Sequence, residues 1–250
     1  MIKNYKNFLI FIPARYESSR FPGKPLVKIL GIEMIKRVYD SCNSVAKNKT
    51  YVLTDNKKIY NFCIKHKIKC LMTPKNCKTG TDRIIYISKK LKTELYINVQ
   101  GDEPLIEKKN LEKFIKAAKK DKGNILIAKS TINKKQFKNI NLPKIIVNKN
   151  NELIYISRLG LPGSKNGKNP SKMYGQVNLY SFPYKIINKF KKYNKKNYIE
   201  EIEDIEILRF LYEDHKVKVI ELKSNNHAVD IPSDIITVEK IMKKNRKYNK

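Results

Sequence analysis

The chain has 250 residues, 41% of them hydrophobic and 10% aromatic, with a formal net charge of +31. That apolar content excludes a disordered chain, and the length suffices for one large domain or two small ones with a proper core. No apolar run approaches the roughly 20 residues of a membrane span, and the first run, in MIKNYKNFLIFIPARY, is too short for a signal peptide and lacks its cleavage site; the expectation is a cytoplasmic protein.

Taken in chain order, FLIFIP reads as a buried strand and EMIKRVYDSCNSVA (33–46) as a helix, from apolar residues at helical spacing. TYVLTD is a strand, NKKIYNFCIKHK a helix, CLMT a strand, TGTDRIIYISKKL a helix and LYINVQ a strand. KKNLEKFIKAAKK is a helix and ILIAKS another strand. Such alternation predicts an α/β fold with a mostly parallel, mixed central sheet and helices on both faces. From 145 to 181 it breaks: IIVN, ELIYIS and QVNLYSF read as an antiparallel extension, with LGLPGSKNGKNPSKM as a long loop before the last of them. Two helices follow, PYKIINKFKK and the acidic EEIEDIEILRFLYED (200–214), then the strand KVKVIEL and a closing helix PSDIITVEKIMKK with Pro232 near its start. No internal repeat or linker divides the chain, so one domain spanning 1–250 is expected.

Cys42, Cys63, Cys70 and Cys77 fit the reduced thiols of a cytoplasmic protein. Cys63, His66, Cys70 and Cys77 form a C-x2-H-x3-C-x6-C cluster that would suit zinc, but Ile59, Phe62 and Cys63 share a helical face, which places Cys63 in the core. The +31 charge taken alone suggests nucleic acid. The lysines, however, are scattered through every segment among Asn and Ile, without the basic-aromatic module of a nucleic-acid binder; they read as solvated faces.

Four loops carry chemistry. The first strand runs into PARYESSRFPGKPL, where Arg15, Arg20 and Lys24 crowd one turn and Gly23 allows close approach of a ligand, a phosphate-binding pattern that is neither GxxxxGK[ST] nor GxGxxG. After LYINV, Gln100-Gly101-Asp102-Glu103 puts a carboxylate at a strand end, placed to hold a magnesium ion (Mg2+). Asp230 is either the N-cap of the closing helix or a second carboxylate of that metal site. Thr79-Gly80-Thr81-Asp82-Arg83 opens a helix and suits a base edge, a ribose or a phosphate. Cations and two carboxylates together are the parts of phosphoryl-type transfer.

The segments PARYESSRFPGKPL, MTPKNCKTGTDR, NVQGDEPLI and VDIPSD, in order within about residues 6–243, resemble the bacterial 3-deoxy-manno-octulosonate cytidylyltransferases (CMP-Kdo synthetases). The resemblance implies a nucleotide-transferase fold and a homodimer. It also implies magnesium-dependent transfer of CMP from CTP to the anomeric oxygen of Kdo, an acidic sugar, with release of pyrophosphate, for lipopolysaccharide or capsule synthesis. By match, Arg15 and Lys24 hold the CTP phosphates, with Ser18 and Arg20 shaping the loop. Asp102 and Asp230 bind magnesium, Thr81 and Arg83 lie against the nucleotide, and Gln100 faces the sugar. YISRLGLP stands in place of the family's YFSRAPIP, which makes Arg158 a sugar or carboxylate contact. Two departures fall in the half expected to touch the sugar: Gln176 replaces the usual His, and Glu206 is followed by Ile207 where the family has Glu-Gln. Lost hydrogen-bonding groups there leave room for a modified sugar such as 8-amino-Kdo or another acidic sugar. The rival from another class is a non-catalytic polyanion-binding protein; a glycosyltransferase of similar sheet topology is a third reading.

Overall fold

β1 (Lys3–Pro13) begins before its apolar run, and its buried residues Phe8–Ile12 have both faces covered, which is why the run is continuous rather than alternating. In this computed structural model of the protein, which describes residues 3–18, 20–168, 170–190, 196–224 and 227–245, a 3-10 turn at Lys24–Leu26 follows. The small hairpin β2 (Lys28–Ile29) and β3 (Ile32–Glu33) leads into α1 (Met34–Val45). Next come β4 (Thr50–Thr54), α2 (Lys57–Lys65), β5 (Cys70–Met72), α3 (Gly80–Ile87), β6 (Leu91–Val99), α4 (Lys108–Lys120) and β7 (Ile125–Thr131). The remainder is α5 (Lys134–Phe137), β8 (Lys144–Val147), β9 (Leu153–Ser157), β10 (Tyr174–Pro183), α6 (Tyr184–Phe190), α7 (Tyr198–Glu203), α8 (Leu208–Tyr212), β11 (Val217–Glu221) and α9 (Pro232–Lys244).

The main sheet has the order β11-β7-β10-β6-β1-β4-β5, with β8 and β9 joined to it through β10. β1 is parallel to β4 and β6, and β11 to β7. The expected mixed, mainly parallel sheet is present. One placement differs: β10 does not stay in the extension but runs antiparallel between β6 and β7, in the middle of the main sheet. Its residues Leu179, Tyr180 and Phe182 are buried and fit only a strand covered on both faces. The extension proper is the β8–β9 hairpin.

Two layers of side chains cover the sheet. On one face Ile10, Ile12, Leu95 and Ile97 meet Ile35 and Val38 of α1, Cys63 of α2 and Phe114 of α4. On the other, Leu9, Phe11 and Tyr96 meet Ile84 of α3, Ile187 of α6 and Phe210 of α8. A third cluster, Ile29, Met34, Leu105, Val229, Val238 and Met242, packs α9 against the small hairpin. The Cys70 thiol is hydrogen-bonded to that of Cys63, and the His66 ring lies 4.3 Å from the Phe62 ring.

The acidic helix expected over 200–214 is two helices. Asp204 adopts a left-handed conformation (φ 48) and ends α7. The break sends Ile205 and Ile207 into the core and turns Glu206 the other way, toward α3. The break also lets Glu200 of α7 and Arg209 of α8 meet. The Arg209 guanidinium, itself buried, forks onto the fully buried Glu200 carboxylate at 2.8 and 2.7 Å and reaches Asp82 in the first turn of α3 at 2.6 Å. Burial holds the Glu200 carboxyl above its ordinary range. Truncation of Arg209 to Met would strand this carboxylate, so a loss of about 3–5 kcal/mol is expected, read as a lower urea midpoint of unfolding.

Candidate nucleotide site

The cleft lies where the loops after β1 and β6 meet the segment before α9, at the carboxyl ends of the central parallel strands, the place where open α/β sheets bind ligands. Its volume is about 170 Å³. Gly101 is required there by close approach, because a Cβ would stand 2.7 Å from the Pro13 carbonyl oxygen. Gly23 is required by its backbone (φ 72), which lets the loop turn back and donate its N–H to Tyr16.

Lys24 sits at the centre. Its ammonium donates to Asp102 Oδ2 at 2.7 Å and lies 3.9 Å from Asp230 Oδ1. A backbone bond from Val229 N–H to the Asp102 carbonyl (3.0 Å) brings the two carboxylates together. Asp230 is not the cap of α9. Asp234 accepts from the N–H groups of Asp230 and Ile231 at 2.8 and 3.0 Å, which leaves the Asp230 side chain to Lys24 and Arg20. Burial and the nearby Asp102 charge hold the Asp230 carboxyl above its ordinary range. Asp102 Oδ1 is buried and has no hydrogen-bond partner among the described residues.

Arg20 bridges two loops, donating to Asp230 at 3.0 Å and to Asn141 Oδ1 at 2.8 Å. Arg15 donates to the Lys78 carbonyl at 3.1 Å, and Ser18 lines the cleft beside it. Arg83 also lines the cleft, although its guanidinium is tied to Thr73 and to Asp55. Thr79 and Asp82 form a reciprocal cap on α3. The helix N-terminus they open is taken by Glu206, whose carboxylate accepts from Gly80 N–H at 3.1 Å and Thr81 N–H at 2.6 Å, with Gln100 Nε2 at 3.4 Å. A carboxylate of the chain itself thus meets the α3 amides that the sequence offers to a base edge, a ribose or a phosphate. Thr81 is fully buried under this contact.

The three residues singled out in the sugar half of the sequence lie in different places. Arg158 lines a hollow beside the cleft, with its guanidinium donating to the carbonyls of Glu203, Ile140 and Asp204, which fastens the end of α7 to the hairpin. Gln176 is only 3% exposed, off the cleft wall, with its amide donating to the Tyr180 hydroxyl. Ile207 is 0% exposed and faces the core rather than the cleft. Sequence reasoning missed Asn141 and Asp204: the first holds Arg20, and the second lines the cleft from the break between α7 and α8. Neither carries a local signal, since each depends on where a distant loop arrives. A second hollow of about 500 Å³ adjoins the cleft and shares Arg15, Ser18, Arg20 and Asp204 with it.

The profile of the cytidylyltransferase family matches residues 9–220. The chain is 34% identical over 241 residues to a 3-deoxy-manno-octulosonate cytidylyltransferase of Fusobacterium nucleatum, covering 95% of this chain and 98% of that one. It is 35% identical over 237 residues to an 8-amino-3,8-dideoxy-manno-octulosonate cytidylyltransferase of Shewanella pealeana, covering 92% and 96%. Among solved structures, CMP:2-keto-3-deoxy-manno-octonic acid synthetase complexed with CTP superposes with a TM-score of 0.86 at 28% identity, covering 95% of this chain and 98% of that one. The chain belongs to the 3-deoxy-manno-octulosonate cytidylyltransferase family and is a nucleotidyltransferase.

Two consequences of the site can be measured. The buried Glu103 carboxyl, next to Asp102 and bonded to Asn178 Nδ2 at 2.7 Å, is pushed up to about 8, first by burial and then by the Asp102 charge. It keeps its proton in the folded state where the unfolded chain has already lost it, so stability falls as pH rises from about 4.5 through about 8. Glu103→Gln is expected to flatten this dependence by more than about 1 kcal/mol between pH 5 and 8, seen in urea midpoints against pH. Restoring the family's amide with Ile207→Gln is expected to lower stability by about 1–3 kcal/mol, because the amide is buried without a partner. The ratio of turnover on competing sugars should stay unchanged.

Proposed function

We propose that the enzyme transfers CMP from CTP to the anomeric oxygen of Kdo, giving CMP-Kdo and pyrophosphate. The observation that carries this reading is the Lys24–Asp102–Asp230 cluster at the strand ends, flanked by Arg15 and Arg20. Arg15 and Lys24 neutralise the triphosphate and the charge that builds on the departing pyrophosphate. Arg83, anchored by Asp55, gives the nucleotide a fixed cationic wall. Gln100 and Glu206 tie the α3 loop to the strand end, so the nucleotide meets a preset surface.

Asp102 and Asp230 are the residues that would hold magnesium. The donor set fits: two carboxylates already share one cation, one buried oxygen of Asp102 has no partner among the described residues, and phosphate oxygens would supply further ligands of the kind magnesium favours. Bound there, magnesium would lower the pKa of the acceptor hydroxyl and offset charge on the α-phosphate.

The adjoining hollow suits an acidic sugar, with Arg15 and Arg20 for the carboxylate and Ser18 and Asn141 for hydroxyls. A second reading, 8-amino-Kdo, is supported by Glu17 and Asp204 on the same walls, which would pair with an ammonium group, and by the near-equal identity to relatives named for either sugar. A homodimer belongs to the same proposal. The outer strand β9 exposes Ile154 (55%), and α7 exposes Tyr198 and Ile202 (79%), an apolar surface that a second copy would cover. A cytoplasmic location and a product used for lipopolysaccharide or capsule complete the reading; no helix among the described residues is long and apolar enough to cross a membrane.

The test is pyrophosphate release from CTP with magnesium, with and without Kdo, and with 8-amino-Kdo and sialic acids in parallel. Kdo-dependent release is expected. Release with another acid alone moves the sugar assignment. Absence of turnover, with steeply salt-dependent binding to random DNA, would favour the polyanion-binding alternative. Asp102→Asn is expected to lose at least about 100-fold in kcat with CTP affinity changed far less, as read by comparing steady-state rates with direct CTP titration.

A further inference from the structure

The contacts of Lys24 carry a second role for this residue, beyond holding phosphate. Two carboxylates from distant loops are held together by the backbone bond between Val229 and Asp102. Like charges at that range repel, and burial makes the repulsion stronger. The chain answers with its own cations: Lys24 on Asp102 Oδ2 and beside Asp230, and Arg20 on Asp230 Oδ1. These are the same carboxylates the catalytic cation needs, and the Lys24 ammonium is the same group the nucleotide phosphates need.

We propose that Lys24 is the resting counter-ion of the Asp102–Asp230 pair, and that the pair takes a divalent cation well only after nucleotide phosphates draw Lys24 away. The inference rests on the nucleotidyltransferase reading and adds a coupling to it. The backbone at Lys24 is fixed by bonds from Leu26 N–H to Gly23 and from Val27 N–H to Lys24, so the exchange needs only a swing of the flexible four-carbon side chain. Phosphate offers the ammonium a new partner, and the freed carboxylates offer the cation theirs. Charge stays compensated at every stage. Arg20 follows the same logic from the outer side, with Asn141 as its remaining anchor when Asp230 is released. By linkage, nucleotide raises cation affinity by the same factor as cation raises nucleotide affinity.

The experiment titrates Mn2+ into the nucleotide-free protein and reads free Mn2+ by electron paramagnetic resonance. Wild type, Lys24→Met, Lys24→Gln, Arg15→Met and the double variant Lys24→Met/Asp102→Asn are compared, each checked for folding by circular dichroism and thermal midpoint. Lys24→Met and Lys24→Gln are expected to bind Mn2+ at least about tenfold more tightly than wild type, and Arg15→Met to change by less than about threefold, because Arg15 touches neither carboxylate. The double variant should return to weak binding. Equal affinity in wild type and both Lys24 variants would overturn the proposal, as would equal tightening by Arg15→Met, which reports only the general field. Sugar-dependent pyrophosphate release by wild type tests the reaction separately, so a counter-ion role can fail while the transferase reading stands.

Discussion

Everything at this site depends on one backbone hydrogen bond. Val229 N–H reaches the Asp102 carbonyl at 3.0 Å and joins the loop after β6 to the approach to α9. The bond is possible because Val229 packs with Leu105, Val238 and Met242 in a small cluster of its own, so burial of those apolar groups holds the contact. Its consequence is electrostatic. Two carboxylates are brought together, and the loop after β1 places the Lys24 ammonium beside both. The placement of Lys24 between the two carboxylates follows from that closure.

The opposite side of the cleft is set by a different device with the same logic. Glu206 occupies the amide groups at the start of α3, while Arg209 ties Asp82 of that helix to buried Glu200. A helix N-terminus is a natural anion site. Here the Gly80 and Thr81 amides are satisfied internally by the Glu206 carboxylate. The break between α7 and α8 exists to make this possible, since an unbroken helix could not send Ile205 and Ile207 to the core and Glu206 to α3.

The charge of the whole protein and the charge of the cleft tell different stories. The chain carries +31, yet the cleft is lined by five cations (Arg15, Arg20, Lys24, Lys78, Arg83) and four carboxylates (Asp102, Asp204, Glu206, Asp230). Near-balance is what a site for a polyphosphate carried with a divalent cation needs, because either partner alone would leave unpaired charge in a partly buried space. The wider positive field draws anions toward the protein without choosing among them. Choice comes from the few cations that the loops aim inward.

The sequence by itself determined the alternation of strands and helices, the loops that bear Arg15, Lys24 and Asp102, and the family. These are local matters: periodicity follows from neighbours along the chain, and the quoted motifs are contiguous. Tertiary structure alone decided what those residues touch. β10 read as part of an extension and is a central strand, because its neighbours β6 and β7 lie far from it in sequence. Arg158 lines the hollow beside the cleft while its guanidinium holds three carbonyls, Gln176 is buried against Tyr180, and Ile207 faces the core. The sequence leaves Asp230 open between helix cap and second metal-site carboxylate, and in the fold Asp234 takes the cap. In each case a residue's role is fixed by which distant loop arrives beside it, and that meeting is set by the packing of the whole sheet, which no local pattern encodes.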